Sequence, residues 1–270
     1  MDGLLGIALV LALGGALAGF MAGLLGIGGG AVMVPVLYEV FGVLGVDEAV
    51  RVHCAVATSL AVIVPTGLRS AWGHHLKGSV DWGYVQVAGP FVVLGVAVGA
   101  VLAIFASGAA LRLVYGAAVF LVGVFLLWSH WQPGVRFAWP PRFVVRGYGV
   151  FTGALSTMMG IGGGTFTGSF MTLFGRTIHQ AVGTSAAIGP LIALPGVVGF
   201  VIGGWGLEGL PAYSVGYVSL LGAAVILPLS LLFAPLGVRA AHGLSKARLE
   251  VVFALFLLAV GVRFLWSVGG

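Results

Sequence analysis

The chain has 270 residues, 60% of them hydrophobic and 7% charged, with a mean hydropathy of +1.17 and a formal net charge of +5. A soluble domain of this length needs a charged coat, and this sequence has almost none. The basic residues are scattered among loops rather than clustered, which excludes a nucleic-acid partner and points to a lipid bilayer.

The apolar segments, in chain order, fall at about 4–25, 30–42, 52–70, 83–106 and 111–129, then at about 143–160, 164–175, 180–202, 212–235 and 248–267. No charged residue lies between Asp81 and Arg112, Arg146 and Arg176, Arg176 and Glu208, or Glu208 and Arg239. Each gap exceeds the roughly 20 residues that cross a hydrocarbon core. Runs of this kind are helical in lipid, because each backbone group must find its partner within the segment. The alternation of a membrane barrel is missing. The fold class is therefore all-α integral membrane. The first segment has no basic residue before it and reads as a permanent span, not a cleaved signal. The second segment of each half is short, and the stretch from Leu4 to Gly42 reads as a hairpin, either re-entrant or fully crossing. Pro35, Pro65, Pro190, Pro195 and Pro228 are expected to kink or end helices. Gly15, Gly19 and Gly23 form a small-xxx-small ladder for close helix packing, which also offers a face for a homodimer.

The chain repeats itself. Gly26-Ile27-Gly28-Gly29-Gly30 recurs as Gly160-Ile161-Gly162-Gly163-Gly164, each after a long apolar run. His53-Cys54-Ala55-Val56-Ala57-Thr58-Ser59 recurs as His179-Gln180-Ala181-Val182-Gly183-Thr184-Ser185, and Gly83-Tyr84-Val85 as Gly216-Tyr217-Val218. The offsets are 134, 126 and 133 residues, so the matches keep their order and only loop lengths differ. Residues 1–130 form a first transmembrane repeat, 131–142 a linker and 143–270 a second repeat. Five segments per half is an odd number, so the second half enters the membrane from the opposite side. Sorting the basic residues on this topology puts Arg69, Lys77, Arg136, Arg142, Arg146, Arg176, Arg239, Lys246 and Arg248 on one side. Arg51, Arg112 and Arg263 fall on the other. The positive-inside rule then places the linker in the cytoplasm and both termini outside.

Three glycines in a row break a helix, at about 1 kcal/mol each relative to alanine. Non-helical backbone at membrane depth is tolerated only inside protein or beside a water-filled cavity. The helix that follows each glycine tip offers unpaired N–H groups and a positive dipole end, and glycine lets an anion approach closely. Gly28, Gly29, Gly30, Gly162, Gly163, Gly164 and Thr165 are thus candidate ligands for a small anionic substrate, with the hydroxyls of Thr58, Ser59, Thr184 and Ser185 completing its shell. The competing readings are that the glycines only pack helices and that the hydroxyls bond to their own helix. His53 and His179, near helix starts, are candidates for proton coupling or act as interfacial caps. His74, His75 and Lys77 read as a solvated cytoplasmic loop. No buried Arg or Lys is expected to pair a charge permanently.

The paired tips and Thr-Ser helices resemble the TauE/SafE family across essentially the whole chain. Gly23-Leu24-Leu25-Gly26-Ile27-Gly28-Gly29-Gly30, with Pro35 following, looks like the first-half signature of that family. The second tip, followed by Thr165-Phe166-Thr167, lacks the proline. The resemblance implies a permease of the bacterial inner membrane that moves sulfite, sulfoacetate or related organosulfonates, usually outward. No Gly-Lys-Ser/Thr phosphate loop and no His-Glu-x-x-His motif is present, so neither ATP hydrolysis, a cofactor nor a metal is expected, and the chain does not read as an enzyme. Alternatives are a passive anion channel, a permease for another small organic anion, a binding subunit needing an ATPase partner, or an intramembrane protease built on Ser169 and His179.

Overall fold

A computed structural model describes residues 2–25, 29–131, 137–240 and 246–269. The helices are α1 (Asp2–Leu25), α2 (Gly30–Val43), α3 (Glu48–Leu76), α4 (Trp82–Phe105), α5 (Gly108–Trp131), α6 (Arg142–Met159), α7 (Gly164–Leu173), α8 (Ile178–Gly203), α9 (Leu220–Ala240) and α10 (Lys246–Gly269). Among the described residues, seven helices are long and apolar enough to cross a membrane. The chain is an all-α integral membrane protein. Leucines such as Leu13, Leu94, Leu121, Leu194 and Leu232 are exposed on its flanks, as a lipid-facing surface requires.

Local chemistry sets where the helices begin. Asp47 caps α3 by accepting from the Ala49 N–H at 2.8 Å, and Asp81 caps α4 by accepting from the Tyr84 N–H at 3.0 Å. Thr177 and Gln180 form a capping box at α8. The five prolines expected to kink or end helices lie inside α2, α3, α8 and α9, so none of them ends one.

Two expectations need correction. The segment predicted from 212 becomes helical only at Leu220, because Ser214–Val215 and Val218–Ser219 pair as a small antiparallel hairpin. Its turn needs left-handed backbone, which Gly216 supplies at φ +54°. Gly216-Tyr217-Val218 therefore sits in a turn, whereas Gly83-Tyr84-Val85 lies in the first turn of α4. The residues predicted as a loop at 74–77 are also mostly helical, since α3 continues to Leu76.

The short helices fold back on their predecessors. A Cβ on Gly14 would meet Val36 and one on Gly29 would meet Ala18, so α2 returns along α1. Likewise the Tyr148 hydroxyl donates to the Phe166 carbonyl at 2.9 Å, and the Phe137 N–H donates to the Leu173 carbonyl at 3.0 Å. The end of α7 thus lies beside the segment that leads into α6. At 1.5 Å per residue α7 is about 15 Å long, half the roughly 30 Å needed to span.

The most extensive contacts join α1 to α9, α4 to α6, α5 to α10 and α3 to α8. Each pair takes one helix from either side of the 131–142 linker, and the pattern is unchanged when the two sides are exchanged. Gly67 meets Pro190 and Leu60 meets Gly196, so α3 and α8 run antiparallel. Gly116 against Leu265 and Gly123 against Leu258 give the same sense for α5 and α10. The predicted glycine ladder is used within the chain. Added Cβ atoms on Gly15 and Gly19 would strike the backbone of Ile226 and Ser230 on α9, which removes that face from contact between copies.

At one end of the bundle Arg112 is buried, pairs with Glu48 and donates to the Tyr38 hydroxyl at 3.2 Å. Arg51 lies over the Tyr38 ring and Arg263 pairs with Glu39 at 3.1 Å. The three basic residues assigned to the poorer side thus share one end. A buried arginine there departs from the sequence expectation. Its charge is tolerable because a carboxylate and a hydroxyl meet it.

Candidate functional site

The two glycine tips meet in the centre of the molecule. Gly26, Ile27 and Gly28 lie outside the described residues. Gly29 and Gly163 begin α2 and α7 with φ +70° and +69°, and neither helix start has a side-chain cap. Gly160 ends α6 at φ +65°. A Cβ on Gly30 would strike the Gly160 carbonyl and lie 2.9 Å from the Ile161 Cα. Glycine here serves two needs at once: left-handed backbone and direct contact between backbones.

The four predicted hydroxyls are buried and engaged. Ser59 donates to the Gly160 carbonyl at 2.8 Å, and Ser185 to the Gly164 carbonyl at 3.1 Å. Both serines therefore brace the second tip. The Thr58 hydroxyl accepts from the Ser219 N–H at 3.0 Å, and the Thr184 hydroxyl from the Asp81 N–H at 2.9 Å. Thus α3 holds the start of α9 while α8 holds the start of α4, a crossed pair. None of these four bonds closes on the parent helix.

A cavity of about 470 Å³ opens beside this centre. Gly162, Ser185 and Gly189 line its inner part together with Ile63, Thr66 and Gly67 of α3. Towards the end of α3 it is lined by Arg69, Ser70, His74 and Lys77, and Arg239 of α9 completes a cationic rim. Sequence reading missed this rim because it stopped the third segment at residue 70. On one helix Thr66, Ser70, Gly73 and Lys77 recur every three or four residues, which was the available signal. Exposed cations around a concave, low-dielectric opening concentrate anions. Past the rim the lining is uncharged: glycine backbone and Ser185, whose hydroxyl proton goes to the Gly164 carbonyl.

His53 and His179 are far from equivalent. His53 is buried, with its Nε2 3.0 Å from the Ala103 carbonyl and its ring stacked on Tyr217. His179 is exposed on the first turn of α8. Asp81, which caps α4, also pairs with Arg176 at 3.1 Å, and that guanidinium lies over the Trp139 ring. Among the described residues no three His, Cys, Asp or Glu side chains gather as metal ligands would.

Comparison with known proteins places this geometry. Residues 11–264 match the family described as sulfite exporter TauE/SafE. A probable membrane transporter protein of Haemophilus influenzae is 36% identical over 250 residues, covering 92% of this chain and 94% of that one. A probable membrane transporter protein of Methanocaldococcus jannaschii is 25% identical, covering 92% and 91%. Another from Xylella fastidiosa is 26% identical, covering 93% and 92%. No solved structure matches the chain significantly.

Proposed function

We propose a cargo and a direction for a chain that belongs to the TauE/SafE sulfite exporter family and is a multi-pass membrane transporter: a small sulfur oxyanion or sulfonate, moved outward by alternating access. The observation that carries the anion is the cavity, which joins a rim of Arg69, Lys77 and Arg239 to an uncharged inner part at Gly162 and Ser185. Its volume lies within the roughly 300–1,000 Å³ of small-molecule sites. Cations at the rim draw an anion in, and neutral donors inside hold it without a fixed counter-charge, so it can leave again. The sulfur chemistry is supported by the family name alone.

In this reading the two halves, 1–130 and 143–270, are inverted repeats joined by a cytoplasmic linker. The exchange-symmetric contacts and the antiparallel pairs α3/α8 and α5/α10 support it. The cationic rim then faces the cytoplasm of a bacterial inner membrane, the termini lie outside, and the cavity is the inward-open state. The Arg112–Glu48 pair and the Tyr38 contact close the opposite end. Of the two expected sets of backbone N–H groups, those at Gly162–Thr165 receive the anionic head and those at Gly28–Gly30 do not. Thr58, Ser59, Thr184 and Ser185 keep the helix starts and the second tip in place around it. His53 and His179 are the groups through which a proton would be coupled. An inside-negative potential drives such export, since one charge moved through 100 mV is worth roughly 2.3 kcal/mol.

The test is counterflow in proteoliposomes of the purified chain alone. Radiolabelled sulfite outside should accumulate transiently against unlabelled sulfite inside and saturate with concentration. Conduction without counterflow makes the protein a channel. Counterflow with a different organic anion keeps the carrier and removes sulfur.

A further inference from the structure

The two tips are not chemically equal, and the difference falls around the start of α7, next to Gly162 of the cavity wall. With the 134-residue offset that relates the glycine motifs, Thr152, Ser156, Thr165 and Thr167 of the second half stand where the first has Ala18, Ala22, Ala31 and Met33. All four hydroxyl residues are buried. The packing differs in the same sense. The first tip is closed by backbone, with Gly29 against the Ala18 carbonyl and Gly30 against Gly160. Gly162 of the second tip lines the cavity, and its counterpart Gly28 lies outside the described residues.

Ser156 is the decisive residue. Its side chain is fully buried and its hydroxyl has no hydrogen-bond partner. A Cβ on Gly163, the uncapped residue before α7, would lie 3.4 Å from that oxygen. A buried unpaired hydroxyl has given up its hydrogen bonds to water, so a ligand that completes it is favoured. The Thr152 and Thr167 hydroxyls also lack a hydrogen-bond partner, but beside Gly163 Thr152 presents its methyl, whereas Ser156 presents its oxygen at the positive end of α7.

We infer that Ser156, with the N–H groups at the start of α7, forms an asymmetric anion-binding site in the second half, where the hydroxyl donates to an oxygen of a sulfonate or sulfite head. The first tip acts as the packed surface against which that site is built. This rests on the anion-carrier reading and sharpens it to one residue.

The experiment measures sulfoacetate and sulfite binding to purified wild-type protein and Ser156→Ala by calorimetry, with thermal unfolding of each protein recorded with and without ligand. Loss of a hydrogen bond to a charged group predicts binding weakened about tenfold or more. The ligand-free Ser156→Ala protein should be at least as stable as wild type, because the variant removes an unpaired hydroxyl. A structural role would instead lower its unfolding temperature. Wild-type affinity in Ser156→Ala overturns the inference and leaves the carrier reading intact. A wild-type protein that binds neither anion overturns both. If sodium ion alone stabilises the wild type, and the variant loses that response, the hydroxyl serves a cation and the anion site is refuted.

Discussion

Replacing Gly30 by alanine isolates the contact between the two tips. Gly30 starts α2 with ordinary helical backbone, so no conformational strain arises from the substitution. The new methyl, however, would overlap the Gly160 carbonyl oxygen and lie 2.9 Å from the Ile161 Cα. Both neighbours are backbone atoms, and no side-chain rotation relieves them. Overpacking of this kind costs about 1–3 kcal/mol, here towards the upper end. Alanine returns up to about 1 kcal/mol of helix propensity. The net loss is about 2 kcal/mol, enough to shift a folding equilibrium by an order of magnitude or more. Two controls separate the causes. Gly73→Ala adds a methyl with nothing within 4 Å and should be neutral or slightly stabilising. Gly45→Ala has the same open space but φ +75°, and should lose about 1–2 kcal/mol from backbone strain alone. Thermal unfolding in detergent, with transport in proteoliposomes, ranks the three. Gly30→Ala as stable and as active as Gly73→Ala would refute the meeting of the tips.

Thr58→Val and Thr184→Val each leave a backbone N–H without its partner, at Ser219 and Asp81. Each should cost about 1–3 kcal/mol in unfolding measurements, and no loss would remove the crossed anchoring. Replacing Arg69, Lys77 and Arg239 together by glutamine should raise the half-saturating anion concentration several-fold at low salt. The effect should fade as ionic strength rises and the rim charges are screened. An effect that is independent of salt would point to direct ligation instead. Gly19→Leu should abolish folded protein, because α1 meets the Ser230 backbone there, whereas Gly6→Leu, with nothing within 4 Å, should be tolerated. Equal yields from membranes would contradict the α1–α9 packing.

Much of the fold is legible in the chain because lipid imposes one solution on apolar runs. Among the described residues ten helices match the expected segments apart from the later start of α9 and the longer α3, and the second glycine tip breaks the helix where propensity requires. The hairpin before α9 was hidden because Tyr213 to Ser219 is apolar enough to pass for helix. Only the positive φ of Gly216 marks the turn, and one glycine among 47 carries little information. The site is legible in part. The glycines and paired hydroxyls stand out by repetition, but where a hydroxyl points depends on tertiary packing. Thr58 and Thr184 anchor helix starts, a role no spacing reveals. The cationic rim was missed because Arg69 and Lys77 look like loop residues until α3 is known to continue beneath them. Ser156 escapes repeat-based reading altogether, since its significance lies in having no polar counterpart.

The account stands most directly on occupancy of the cavity by an anion. Cys54 is the one cysteine in the chain and is fully buried, so a Ser70→Cys variant presents one reactive thiol in the cavity lining. Its reaction with a membrane-impermeant maleimide would be timed in inside-out and right-side-out vesicles, with sulfoacetate or choline added. The account predicts labelling from the cytoplasmic face, slowed saturably by sulfoacetate and unaffected by choline. Labelling that no anion slows, or that occurs only from the opposite face, would contradict it.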